Sequence, residues 1–291
     1  MSETPLIPAP GAPRLTAASC GLKREVGIVD EHGERCSIDI PAEHPLTVLV
    51  DDRELVTLLT LGACPELLVL GYLHNQGLVD SVTDIASIEI DWPSGTAAVS
   101  LRPDTAGQTR ISRRLAATGG AHGAIFADLM KRIDAVRLPP PAAARIRQST
   151  LYALLEIVRE RDQLHRGTGS VHGCALFRGA EMLMFVEDVG RHNAMDTVAG
   201  WMKLHGVAGG DKILYSTGRL SGEMVMKSAQ SGVPIVVSRN GVTAMGYDVA
   251  HRLGMTLIGR AVKRRLICYV GAERFDAEPE LRGAARRDRD K

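Results

Sequence analysis

Apolar positions along this chain fall into short runs and helical stripes, and the first half mixes the two. Leu46-Thr47-Val48-Leu49-Val50 reads as a strand, Asp51-Asp52-Arg53 as the turn after it, and Glu54 to Leu61 as a second strand. Pro65 opens a helix whose apolar side carries Leu67, Leu68, Leu70, Gly71 and Leu73. Proline suits the first turn because the N–H it lacks would have no intrahelical partner there. Ile85 to Ile90 and Thr96 to Leu101 are predicted strands joined around Pro93-Ser94-Gly95. The stiff stretch Leu138-Pro139-Pro140-Pro141 then interrupts the pattern and marks a domain boundary.

Beyond it, Ile146 to Leu164 has Leu151, Leu154, Leu155 and Val158 at helical spacing. Strands and helices then alternate. Met182–Val186, Lys212–Tyr215, Ile235–Val237 and Thr256–Ile258 are predicted strands. Helices are expected from about Ala194, from about Gly222 to Ser231 and from about Ala244 to Leu253, with Gly254 at the left-handed residue that ends the last. Such alternation implies a largely parallel sheet covered on both faces. The expected architecture is α/β, with a smaller α+β domain over residues 21–138, including an inter-domain loop at 115–125, and a larger domain over residues 139–275. The Pro- and Ala-rich residues 1–20 read as a flexible leader and residues 276–291 as a disordered tail.

Composition narrows the function. The 35 basic and 34 acidic residues leave a formal charge of +1, and aromatic residues make up 4%. Neither a whole-surface grip on nucleic acid nor a row of stacking platforms is expected. The five cysteines are scattered, which excludes a disulfide scaffold, a four-cysteine zinc finger and a Cys-x-x-Cys redox pair. No apolar run is long enough to span a membrane, and Met1–Pro5 lacks the order of a signal peptide, so a cytoplasmic protein is expected.

In an open α/β sheet, ligands bind outside the carboxyl ends of the strands. The segments there are Glu187–Asn193, Ser216–Ser221, Ser238–Thr243 and Gly259-Arg260, each with one arginine beside small or hydroxylated residues. Three lead into helix N-termini, which favour anions, and an arginine fork grips phosphate in two places. Arg191, Arg219, Arg239 and Arg260 together point to a ligand with several phosphates. Alternatively, they pair with local acids such as Asp188 and Glu223. Lys263, Arg264 and Arg265 are either a further phosphate clamp or a solvated basic face. Glycines 190, 218, 241 and 259 allow close backbone approach or merely make turns. His172 is expected at the start of a strand, in a structural or a catalytic role.

Two long stretches resemble the FdhD family of formate dehydrogenase accessory proteins: Glu187-Asp188-Val189-Gly190-Arg191-His192-Asn193-Ala194-Met195-Asp196 and Ser216-Thr217-Gly218-Arg219-Leu220-Ser221-Gly222-Glu223-Met224-Val225-Met226-Lys227. The likeness extends from about residue 40 to 275, through Glu43-His44-Pro45-Leu46, Cys64-Pro65-Glu66-Leu67, Gly232–Ile235, Gly254–Gly259 and Gly271-Ala272-Glu273-Arg274. It implies a homodimer whose second domain has a three-layer, cytidine-deaminase-like fold. It also implies sulfur taken from a cysteine desulfurase and passed to the bis-molybdopterin guanine dinucleotide molybdenum cofactor of the formate dehydrogenase catalytic subunit. Candidate cofactor-binding residues are Arg191, His192, Asn193, Thr217, Gly218, Arg219, Ser221, Ser238, Arg239, Arg260, Lys263 and Arg265. The family's cofactor stretch matches Arg260 to Arg265, with Arg260 where an aromatic residue is usual.

One departure bears on the chemistry. The family carries sulfur on a Cys-x-x-Cys loop, and here Gly119 and His122 stand in those places, in Thr118-Gly119-Gly120-Ala121-His122-Gly123. Another cysteine then substitutes, or the protein binds the cofactor without moving sulfur. Cys174, two residues past His172, and Cys64, at a helix start whose dipole would lower a thiol pKa, are the substitutes considered; each is otherwise a small buried hydrophobe. The candidate catalytic residues are therefore His122, His172 and Cys174. A zinc deaminase is disfavoured because His172-Gly173-Cys174 lacks the glutamate of the H-x-E motif and no Pro-Cys-x-x-Cys follows; no metal ligands are expected.

Overall fold

The computed structural model describes residues 8–103, 105–116 and 133–281. Strict alternation builds its first sheet: Leu46, Val48 and Val50 are buried, while their neighbours Pro45, Thr47 and Leu49 face outward to varying degrees. In chain order the first elements are β1 (Arg14–Leu15), the hairpin β2 (Lys23–Val29) and β3 (Arg35–Pro41), then β4 (His44–Val50) and β5 (Arg53–Thr60). They are followed by α1 (Pro65–Asn75), β6 (Ile85–Asp91), β7 (Thr96–Leu101) and α2 (Ala106–Ala116). Next come β8 (Ile146–Arg147), α3 (Gln148–Arg161), α4 (Gln163–Thr168), β9 (His172–Arg178), β10 (Glu181–Asp188) and α5 (Arg191–Leu204). The last are β11 (Lys212–Ser216), α6 (Gly222–Gln230), β12 (Ile235–Ser238), α7 (Ala244–Leu253), β13 (Thr256–Val262), β14 (Arg265–Val270) and β15 (Phe275–Asp276).

The chain divides into two compact units that do not follow the sequence break at residue 138. The first holds the described residues within 1–131 with Gln163–Gly173 and Val186–Val207; the second holds 133–162, Cys174–Phe185 and the described residues from Ala208 on. The first unit's sheet has the order β1-β6-β7-β4-β5. Helix α1 is apolar nearly all round, burying Leu68, Val69, Leu70 and Leu73, because it is covered on more than one side. It packs on β6 and most extensively on α5, which explains why a segment so late in sequence belongs to this unit. The core joins Leu46, Val48, Val69, Leu73, Ile88 and Val99 to Leu204 at the end of α5.

In the second unit the sheet order is β10-β9-β11-β12-β13-β14. Only β11, β12 and β13 are mutually parallel; β9 runs antiparallel to β11, and β14 to β13. The expectation of a largely parallel sheet is thus corrected to a mixed one. The reason is local: β13 and β14 are joined by the two-residue turn Lys263-Arg264, too short for the crossover that a parallel pair requires. A core of Leu151, Leu154, Phe177, Ile213, Val237 and Ile258 sits between α3 and this sheet.

Three further expectations change. The described part of the expected leader, residues 8–20, is not loose: β1 adds a parallel edge strand to β6, and the Thr16 hydroxyl donates to Ile88 O at 3.2 Å while accepting from Ile90 N at 3.0 Å. The expected tail is structured as far as Leu281. Asp276, in β15, pairs with Arg145, and the Glu278 carboxylate accepts from Ser149 N at 2.6 Å. Helix 146–164 is two helices separated at Asp162. Residues 117–125 of the inter-domain loop, with Gly119 and His122, and residues 282–291 of the tail lie outside the described residues.

Candidate functional site

In the second unit, the parallel register of β11 and β12 places Ser216 opposite Ser238, so both strands deliver their following loops to the same sheet edge. Hydrogen bonds then lock the loops together. The Ser238 hydroxyl donates to Gly218 O at 2.6 Å, the Asn240 side-chain amide donates to Thr217 O at 2.6 Å, and Arg239 N donates to Ser216 O at 3.2 Å. Leu220 N donates to Gly241 O at 3.0 Å and Arg260 N to Asn240 O at 2.8 Å, which brings β13 into the same network. Thr217 and Gly218 each accept through a backbone carbonyl, and Thr217 is buried.

The side chains at this edge divide by role. Arg219 is exposed, and beside it Ser221 caps α6 without a side-chain cap bond. The Ser221 Oγ is buried and has no hydrogen-bond partner among the described residues. Arg239 is different: its guanidinium lies 3.6 Å from the buried Asp162 carboxylate, the ion pairing that was the alternative for all four arginines. Glu223, one of the acids expected to hold an arginine, pairs with the buried Lys227 at 3.5 Å.

Arg260 corrects an expectation. It does not end a strand; β13 continues through it, with a register shift between Gly259 and Val262 and a left-handed φ of 49° at Arg260. A Cβ on Gly259 would meet the Tyr269 ring at 2.8 Å and Asn240 O at 2.9 Å, so the close approach there is to the protein's own atoms. Lys263 lies in the two-residue β13–β14 turn, and Arg265 opens β14 opposite Val262.

In the first unit, α5 starts at Arg191 rather than near Ala194, so Arg191, His192 and Asn193 form its first turn. Asp188 anchors them. One carboxylate oxygen accepts from Gly190 N and the Asn193 side-chain amide, both at 2.9 Å; the other accepts from the Thr60 hydroxyl at 2.5 Å and Leu61 N at 3.1 Å. Burial pushes its pKa up, opposed by these donors. The Asn193 amide also donates to Leu59 O at 2.6 Å, tying the helix start to β5. Glu187 accepts from His165 N at 2.8 Å.

His172 is half-buried at the first residue of β9. Its pKa is held below the usual histidine range, foremost by burial and then by the positive charges of Arg191 and His165. The neutral imidazole is favoured, which suits a base. The Nε of Arg191 is buried with no hydrogen-bond partner among the described residues.

The thiols differ from the sequence expectation. Cys174 is wholly buried within β9, in the position of a small hydrophobe. Cys64 does precede α1, but its pKa is raised rather than lowered, foremost by burial and then by the nearby Glu66 carboxylate. Sequence reasoning missed Asp162 and Thr60, whose partners are distant in sequence, and placed Asn240 in the right segment without its bond to Thr217. The short-range signal for Asp188 was legible: an Asp two residues before a Gly and five before an Asn is an Asx turn at a helix start. Among the described residues no cluster of metal-ligating side chains occurs.

A model of the FdhD/NarQ family matches residues 41–276 of this chain. The sulfur carrier protein FdhD of Halalkalibacterium halodurans is 30% identical over 268 residues, covering 90% of this chain and 97% of its own. The sulfur carrier protein FdhD of Bacillus subtilis is 30% identical over 251 residues, covering 84% and 94%. A crystal structure described as a formate dehydrogenase accessory protein, from Desulfotalea psychrophila, superposes with a TM-score of 0.69 over 87% of this chain and 98% of that one, at 24% identity, a likeness of fold.

Proposed function

The chain belongs to the FdhD/NarQ family, and from that premise we propose that it is an accessory sulfur carrier for a formate dehydrogenase. In this reading it takes sulfur from a cysteine desulfurase in the cytoplasm and serves the enzyme's bis-molybdopterin guanine dinucleotide cofactor, working as a homodimer. The second unit is read as cytidine-deaminase-like. No nucleic acid or membrane partner is proposed; among the described residues no helix is long and apolar enough to cross a membrane. The observation that carries the reading is the family match, which spans both long loop stretches.

The residues present suit such a cofactor. Its guanine dinucleotide arms bring pyrophosphates, and bound molybdenum would be the acceptor of the sulfur. In the second unit, the exposed Arg219 can fork onto a phosphate. The Ser221 hydroxyl, buried at the N-cap of α6 with no hydrogen-bond partner among the described residues, adds a donor where the helix dipole favours an anion. In the first unit, the Arg191 Nε at the start of α5, which has no hydrogen-bond partner among the described residues, offers the same chemistry.

A second reading, a cofactor-binding chaperone that moves no sulfur, is favoured by one specific observation. Gly119 and His122 replace the two cysteines, and burial raises the thiols of Cys20, Cys64 and Cys268. Incubation with a desulfurase and cysteine, followed by intact mass, separates the two. The carrier gains one sulfur atom on a cysteine; the chaperone gains none and still binds guanosine diphosphate. Loss of both properties would overturn both readings.

A further inference from the structure

The sulfur-carrying atom remains to be placed, and the first unit brings two cysteines onto one short stretch. Of the other three, Cys174 is wholly buried, Cys36 is exposed on β3, and Cys268 is half-buried on β14 with its Sγ directed at Val270 O, 3.4 Å away. Cys20 Sγ, by contrast, lies 3.8 Å from the carbonyl oxygens of both Leu61 and Gly62, at the entry to α1. Two residues earlier, Ala18 N donates to the Glu66 carboxylate at 2.7 Å. Residues 18–20 therefore lie along the stretch 61–66 that leads into α1, and Cys64 falls in sequence between the two places where they touch it.

The surroundings enclose the sulfur without sealing it. A Cβ placed on Gly62 would fall 2.5 Å from Cys20 Sγ and 2.9 Å from the Trp92 ring, so thiol and indole close over the same residue. The His44 ring sits 5.4 Å from the Trp92 ring, and its Nε2 is 3.0 Å from Gly21 O, directly after Cys20. Cys20, Cys64 and His44 are each half-buried, within reach of a small group yet shielded on one side. A thiol that is accessible and has a second thiol near it is the arrangement that sulfur exchange requires.

We propose that Cys20 and Cys64 form the thiol pair that takes up and discharges sulfur in this chain, in place of the Cys-x-x-Cys pair its sequence lacks. The assignment rests on the sulfur-carrier reading. Cys20, the less enclosed of the two, attacks the outer sulfur of a persulfide donor as the thiolate. A bond forms from Cys20 Sγ to that sulfur, the donor's S–S bond breaks, and the donor leaves as a thiolate. The Cys64 thiolate then attacks Cys20 Sγ. The Cys20–Cys64 disulfide forms, the bond to the carried sulfur breaks, and the sulfur departs as sulfide with the bonding electron pair. The two thiols are oxidised as the carried sulfur is reduced, and a dithiol reductant restores the pair.

The test uses the full chain with glutathione persulfide as donor, followed by alkylation, digestion and mass measurement. Wild type is expected to release sulfide and to yield a peptide cross-linked between Cys20 and Cys64. Cys64→Ser should hold one additional sulfur on Cys20 and release at least ~10-fold less sulfide, and Cys20→Ser should load at neither position. Loading in Cys20→Ser equal to wild type, or a sulfur found only on Cys36 or Cys268, overturns the pair and leaves the carrier reading standing. Loading on no cysteine overturns both. Thermal melts of each variant check folding; if a serine variant unfolds, the wild-type chain still decides, because persulfide treatment should protect Cys20 and Cys64 together from later alkylation.

Discussion

Gly71 of α1 and Gly200 of α5 meet where the two helices cross, backbone against backbone. A Cβ on Gly71 would lie 1.7 Å from Asp196 O, and one on Gly200 would lie 2.0 Å from Leu67 O. Helices this close leave no room for any side chain at the crossing. Nearby, the Asn75 amide donates to the buried Asp196 carboxylate at 2.7 Å and fixes the register. Because α5 begins with Arg191, His192 and Asn193, this crossing also positions those three residues within the first unit.

Gly71→Ala and Gly200→Ala should each destabilise the protein by ~3 kcal/mol or more, because backbone atoms rather than a flexible side chain would have to move. Urea unfolding measures this. Gly27→Ala, where an added Cβ meets nothing within 4 Å, serves as the control and should stay within about 0.5 kcal/mol of wild type. Equal stability of all three variants would refute the close crossing.

Asp188→Asn should cost ~2–3 kcal/mol in urea unfolding, despite removing a charge that burial disfavours. Four donors converge on the two carboxylate oxygens, and an amide would turn its NH2 toward two of them. The variant should also expose backbone amides at the start of α5 to faster hydrogen exchange.

Arg219→Ala should weaken guanosine diphosphate binding by ~1.5 kcal/mol while leaving the melting temperature unchanged, as expected for an exposed charge-assisted donor. Arg239→Ala should do the reverse, lowering stability because the buried Asp162 loses its ion-pair partner. Calorimetric titration and thermal melts on both variants test the division. If Arg219→Ala binds as wild type does, Arg219 does not hold the ligand.

Alkaline pH should weaken the fold through its thiols. Burial raises the pKa of Cys20, Cys64 and Cys268, with Glu66 adding to the effect at Cys64 and Glu273 at Cys268. An acid with a raised folded pKa holds more protons folded than unfolded, so stability falls as pH rises. The contribution is fully present below the unfolded thiol value of about 8.5 and is lost as pH climbs through the raised folded values. The urea midpoint should therefore drop above about pH 8.5, and Cys64→Ser should show a shallower drop. Parallel curves for the two proteins would remove Cys64 from the effect.

Local periods in the sequence determined most elements: the alternation at Leu46–Val50, the stripe through Leu151 and Val158, and Gly254, which adopts φ 62° at the end of α7. They also located the loops around Arg191 and Arg219, because strand ends and helix starts are written within a few neighbouring residues. The tertiary structure decided what those signals cannot carry. It made Arg14–Leu15 an edge strand, set β9 antiparallel to β11 and β14 to β13, and joined α5 to α1 through Gly71 and Gly200. It likewise directed Arg239 to Asp162 and laid Cys20 against the entry to α1. Each outcome depends on which distant groups come within a few ångströms of one another. A residue's own neighbours in sequence fix its period and its cap, but not the partner that reaches it across the fold.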